Sequence, residues 1–189
     1  MMNDPVTTPC RRDYYPAHRN SGTRLTSMIR LIVLHDTEGG TAESVARYFA
    51  GVTAEGSAHI VVDDTTCYRC LSDSAVPWAA PNANLQGWHI EQAGFARWSG
   101  VIWKSHMRLL NRAAYKTALH CHRFDIPPRF VHAAGLAKGH SGVTTHREVS
   151  KWSAAAGLPG DHSHTDPGPL WPRRLFMLLV RKHFRDLAA

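Results

Sequence analysis

The sequence predicts a single α/β domain with a mixed central β-sheet flanked by helices, and three observations carry that reading. Short apolar runs of strand length alternate with longer stretches of helical periodicity, and no segment repeats at a fixed interval. The chain has 189 residues, and at that size folding removes about 70% of the unfolded surface from water, enough for one core without staples or partners. With 43% hydrophobic and 20% charged residues, the composition is that of an ordinary globular protein.

Residues 1–27 hold Pro5, Pro9, Pro16 and four arginines with little periodicity, which predicts an irregular lead-in wrapped on the domain. Met28 to Leu34 is a short, mostly apolar run rich in β-branched residues; it predicts a buried central strand with His35 at its C-terminal end. Thr41 can cap a helix with Glu43 in its first turn and Val45, Tyr48 and Phe49 at helical spacing, stopped by Gly51. Ser57 to Val62 and Thr66 to Leu71 flank Asp63-Asp64 as a hairpin, and Gly87 to Gln92 is a further strand. One long helix is predicted over Ile102 to Phe124 through Met107, Leu110, Ala114, Ala118 and Cys121, closed by Pro127-Pro128. A last helix spans 172–187, with proline in its first turn and Leu175, Leu178, Leu179 and Phe184 as its apolar residues.

The net charge of +7 points to an anionic partner, either nucleic acid or a cell-wall polymer, although the basic residues are scattered and no nucleic-acid reader motif is present. No apolar stretch reaches the ~20 residues of a membrane span, and the N-terminal segment lacks the apolar core of a signal peptide. Cys67-x-x-Cys70 has no second ligand pair and lies in a strand-like run, where positions three apart face opposite ways. All four cysteines, Cys10, Cys67, Cys70 and Cys121, are therefore expected to be packing residues, not a disulfide framework or a zinc site.

Chemistry is carried by residues far apart in the chain: His35 at a strand end, Glu91 in GWHIEQ, His146 in GVTTHREV, and His164 with Asp166 in HTDPG. Two imidazoles and a carboxylate suit a catalytic zinc, which keeps its fourth position for water. His35, His146 and Asp166 match that inventory. Such a site hydrolyses amides without a nucleophilic side chain but needs a proton shuttle, for which Glu91 is the candidate, with His164 as oxyanion donor. Trp78 and Asn82 are candidates for the substrate cleft, the indole for stacking and the amide for reading carbonyls.

At these residues the sequence resembles the zinc-dependent N-acetylmuramoyl-L-alanine amidases, the type 2 amidases related to peptidoglycan-recognition proteins and common in phage endolysins. The motifs LIVLHDTEG, SAHIVVDDTTCYRCL, VPWAAPNANLQGWHIEQAG, TTHREV and HTDPG follow the family's order over roughly Leu31 to Trp171. The resemblance implies a zinc amidase domain over 28–189, a metal triad of His35, His146 and Asp166, and Glu91 as the acid that handles water. His164 falls where relatives have lysine, and Ala58 where some carry a catalytic tyrosine; Ala79 and Ala80 replace the usual residues after Trp78.

His140 in GHS is the rival to His146, but Glu148-Val149 after His146 match the acidic-then-aliphatic pair that follows the family's ligand. His162 reads as a loop residue, and His59 and His89 as buried, hydrogen-bonded neighbours of the site. The Arg-rich last helix is read equally as a wall-holding face or a plain solvated one. The resemblance implies cleavage of the bond between N-acetylmuramic acid and L-alanine of peptidoglycan by a monomer, held in the host cytoplasm until lysis and then acting on the wall. It implies no nucleic-acid or membrane partner. The alternative is a non-catalytic peptidoglycan-binding module; relatives of that kind typically lose a metal ligand, and here every position is filled.

Overall fold

The computed structural model describes residues 6–11 and 16–189. Its sheet is built from β1 (Leu31–Asp36), β2 (Ile60–Val62), β3 (Cys67–Arg69), β4 (Gly87–Gln92) and β5 (Gly142–Thr145), in the spatial order β3-β2-β4-β1-β5. All neighbouring pairs are parallel except the β2-β3 hairpin, so the sheet is mixed. The helices are α1 (Ala42–Ala50), α2 (Gly100–Ser105), α3 (Met107–Arg123), α4 (Ala133–Ala137), α5 (His146–Ala155) and α6 (Arg173–Ala188). No helix among the described residues is long and apolar enough to cross a membrane.

β1 is buried along its whole length because both faces of the sheet are covered, which is why its sequence is an apolar run without alternation. One face presents Ile32, Leu34, Trp88, Ile90 and Val143 to Leu110, Ala114, Phe176 and Val180 of α3 and α6. The opposite face is covered in two separate patches. α1 packs Ala42, Ala46 and Phe49 over Val61 and Tyr68, while α4 and α5 bring Leu136 and Val149 to Leu31 and Val33. Between those patches the C-terminal ends of β1 and β4 stay accessible, the place where open α/β sheets bind ligands.

α1 follows its sequence signals: the Thr41 side chain accepts from the Ser44 amide, and Gly51 ends the helix. Its buried face is Ala42, Ala46 and Phe49, whereas Tyr48 is exposed and its hydroxyl accepts from the Glu55 amide. The single helix predicted over Ile102 to Phe124 is two. His106 leaves helical geometry, its ring pairs with Asp64, and Asp64 Oδ1 accepts the Leu109 amide to start α3 afresh. The last helix begins one residue later than predicted, with Pro172 as its cap, and buries Phe176, Met177, Val180 and His183 while Leu178 faces solvent. α4, β5 and α5 have no counterpart among the elements the sequence predicts.

The cysteine expectation is corrected for one pair, since Cys10 and Cys67 form a disulfide. The lead-in runs beside β3, with the Arg11 amide donating to Cys67 O and the Arg69 amide to Arg11 O, and this alignment brings the two thiols together. Residues 1–5 and 12–15 of that lead-in lie outside the described residues. Cys70 and Cys121 are free and packed, and burial pushes both thiols up to about 12.

Candidate metal centre

His35 is the fifth residue of β1 and pairs in register with Glu91, the fifth of β4, so both side chains leave the same face of the sheet. His146 opens α5 directly after β5, with no linker; Thr145 accepts the Glu148 amide and so turns strand into helix at that point. Asp166 comes from the segment between α5 and α6, tied down where the Arg147 amide donates to its carbonyl. Two residues on, Gly168 adopts φ +94° against the Ala96 carbonyl, a place no Cβ can occupy.

These three side chains converge. His35 Nδ1 lies 2.9 Å from Asp166 Oδ2 and His146 Nδ1 lies 3.1 Å from Asp166 Oδ1. The imidazole centroids are 4.8 Å apart, and both rings are buried. Among the described residues no other group of three His, Cys, Asp or Glu side chains gathers in this way. Burial would raise the Asp166 pKa, but hydrogen bonds to His146 and His35 hold it well below the usual carboxylate range. Burial lowers the pKa of His146 against the opposing pull of Asp166. The donor set is thus a carboxylate and two imidazoles, the inventory of a tetrahedral catalytic divalent metal with one position left open. His146 also keeps its buried Nε2 without a partner. The residues fit a divalent metal ion.

The cleft in front of them has a volume of about 440 Å³ and is walled by Phe49, Glu55, Trp78, Glu91, His164 and Thr165, among others. Glu91 Oε2 is shut from solvent and unpartnered, and burial, with Asp166 and Asp36 adding, raises its pKa well above the ordinary value. His164 stacks on His146 with centroids 3.9 Å apart and holds Nδ1 3.9 Å from Asp166 Oδ1. Burial, then His146, lowers its pKa.

Trp78 is 43% exposed, so its indole is a cleft wall and not core. Its Nε1 donates to Ser21 Oγ, fixing the ring at the rim. Asn82 is a correction: it does not line the cleft, because its amide donates to Ser153 Oγ and Pro159 O and ties a turn to α5 and to the segment after it. His140 is exposed beside Gly135, after α4, and takes no part in the cluster. His162 lies outside the cleft lining, its Nε2 buried without a partner. His59 and His89 are fully buried behind the site: His59 Nδ1 accepts the His89 amide, and His89 Nδ1 lies 3.0 Å from His35 Nε2.

Sequence reasoning missed Asp36, whose Oδ2 is buried and unpartnered and whose pKa burial raises to about 7 against the Glu38 amide hydrogen bond. The signal was its place beside His35 at a strand end. Phe49, Glu38 and Glu55 also face the cleft, and nothing in their local sequence distinguishes them from helix packing and surface loop.

The N-acetylmuramoyl-L-alanine amidase family matches residues 25–169. Among solved structures the chain is similar to the Staphylococcus aureus hydrolase AmiA in complex with its ligand, at 17% identity and TM-score 0.69, over 96% of this chain and 86% of that one. It is similar to PlyL at 17% identity and TM-score 0.61, covering 92% of this chain and 97% of the other. The catalytic domain of XlyA aligns at 20% identity and TM-score 0.63, over 92% and 99% of the two chains. No curated protein matches the sequence.

Proposed function

The chain belongs to the N-acetylmuramoyl-L-alanine amidase family, an assignment that makes it a hydrolase of the amide joining N-acetylmuramic acid to L-alanine in peptidoglycan, and from it we propose which residues perform that reaction and in what setting. The observation that carries the proposal is the convergence of His35, His146 and Asp166 beside Glu91 at the open ends of β1 and β4.

His35, His146 and Asp166 are the residues that would hold a zinc ion, which supplies Lewis acidity toward the carbonyl and a water acidified toward neutrality. Glu91 takes a proton from the attacking water on its carboxylate and delivers it to the leaving alanine nitrogen. Its place suits both halves, since Glu91 lines the cleft beside the three ligands and its Oε2 has no other hydrogen-bond partner among the described residues. His164, stacked on His146 at the cleft wall, donates a hydrogen bond to the developing oxyanion in the place where relatives use lysine. Trp78 offers its exposed indole as a wall for sugar or peptide.

The setting is that of a phage or prophage endolysin, acting as a monomer on the wall after release from the host cytoplasm; the likeness in fold to a mutant endolysin from Bacillus subtilis and the net charge of +7 support this reading. Digestion of purified peptidoglycan followed by mass spectrometry of the products tests the bond assignment. Glycan strands with free lactyl carboxylates and stem peptides beginning in L-alanine are expected. Fragments cut only at glycosidic bonds or peptide cross-links would refute it.

A further inference from the structure

Behind the cleft, His35 is held by a second imidazole. His89 is fully buried on β4, its ring stacks on that of His35 with centroids 5.2 Å apart, and its Nδ1 lies 3.0 Å from His35 Nε2. The arrangement is built into the sheet: Val33 and His89 are register partners beside the His35–Glu91 pair, so His89 lies one step behind His35 on the same face. The backbone of His89 is fixed in turn, because its amide donates to His59 Nδ1 at 3.0 Å. Room for the ring comes from Gly87, where a Cβ would overlap His89 Nε2 and approach Ala83 O to 2.8 Å. His89 does not line the cleft, so it touches neither substrate nor reacting atoms.

From this geometry we infer that His89 is a positioning residue for the metal site, fixing the ring orientation and tautomer of His35. The inference rests on the metal reading above. A neutral imidazole that gives Nδ1 to a metal keeps its proton on Nε2, and that proton then needs an acceptor. His89 Nδ1 faces it at hydrogen-bond distance. His89 consequently carries its own proton on Nε2, which has no partner among the described residues. The fold retains a buried unsatisfied donor in order to orient a ligand.

The test is zinc affinity, measured by competition with a chromogenic chelator, for the wild type, His89→Leu, His89→Gln and His35→Ala. Leucine fills the space without accepting a hydrogen bond, and affinity is expected to fall about 10- to 100-fold. Glutamine can accept through its amide oxygen and is expected to stay within about threefold of the wild type. Equal affinity of His89→Leu and wild type overturns the inference. So does equal weakening by leucine and glutamine, which would mark a packing role only. If His89→Leu fails to fold, long-range proton–nitrogen spectra of the zinc-loaded wild type decide: a proton on His35 Nε2 supports the inference, and metal on Nε2 overturns it. Absence of zinc binding by the wild type, or undiminished binding by His35→Ala, shows instead that the metal reading has failed, and the role of His89 falls with it.

Discussion

His35 and Glu91 are register partners on adjacent parallel strands, and both stand at the fifth of six positions in their strands. The pairing sets the proposed metal ligand and the proposed proton carrier side by side on a rigid sheet, where neither depends on loop conformation. α1 packs on one side of this strip and α4 with α5 on the other, and the cleft opens between them. His146 and Asp166 are then brought to His35 by the β5–α5 junction and by the segment before α6.

Glu91→Gln keeps the shape and removes the base. Hydrolysis of peptidoglycan is expected to fall by about 10²- to 10⁴-fold, while zinc affinity, measured separately by chelator competition, stays near the wild-type value. Near-normal turnover in this variant would remove Glu91 from the mechanism.

His164→Ala deletes the proposed oxyanion donor and is expected to cost about 10²- to 10³-fold in kcat. His164→Lys, which restores a donor of the kind relatives use, should recover most of that loss. Steady-state rates on a soluble muropeptide separate the two; equal activity of alanine and lysine variants would show that His164 does not act as a donor.

Stability should decline in mild acid because His59 and His120 are buried uncharged. Burial holds His59 well below 6.5 and lowers His120 from 6.5 to about 4, where its ring stacks on Trp88 with centroids 3.5 Å apart. Below pH 6.5 the unfolded chain takes up protons at these rings that the folded chain refuses, so acid favours unfolding. The loss is at most about 1.4 kcal/mol per pH unit for each histidine. Urea unfolding between pH 7.5 and about 4.5 reads this slope, and His120→Phe should make it shallower. An unchanged slope in that variant would place the acid sensitivity elsewhere.

The Cys10–Cys67 disulfide closes a separation of 57 residues and is expected to contribute about 4 kcal/mol by restricting the unfolded chain. Cys67→Ser should lower the urea midpoint while leaving hydrolysis intact, since neither cysteine lines the cleft. A thiol titration that finds four free cysteines in the unreduced protein would contradict the pairing.

Elements with strong local signals are legible in the sequence alone. The Thr41 cap and the Gly51 stop bound α1, and the apolar run ending at His35 is β1. The metal-ligand candidates are legible because each sits in a distinct short motif, and the geometry brings His35, His146 and Asp166 together. What escapes depends on distant partners. The break at His106 is set by Asp64, 42 residues earlier. Cys10 meets Cys67 only once the lead-in aligns with β3. β5 and α5 meet without a linker, so GVTTHREV shows a full period of neither strand nor helix. Asn82 reads as a cleft residue because an amide's partners, here Pro159 and Ser153, are not visible in its sequence neighbours.

The central claim is that metal held by His35, His146 and Asp166 drives amide hydrolysis. Its most direct test is release of new L-alanine amino termini from intact peptidoglycan, followed before and after chelation and after zinc is restored, with His146→Ala alongside. Loss on chelation, recovery with zinc, and no recovery in His146→Ala are the predicted results. Undiminished release from fully metal-stripped protein, or zinc-restored release from His146→Ala, would contradict it.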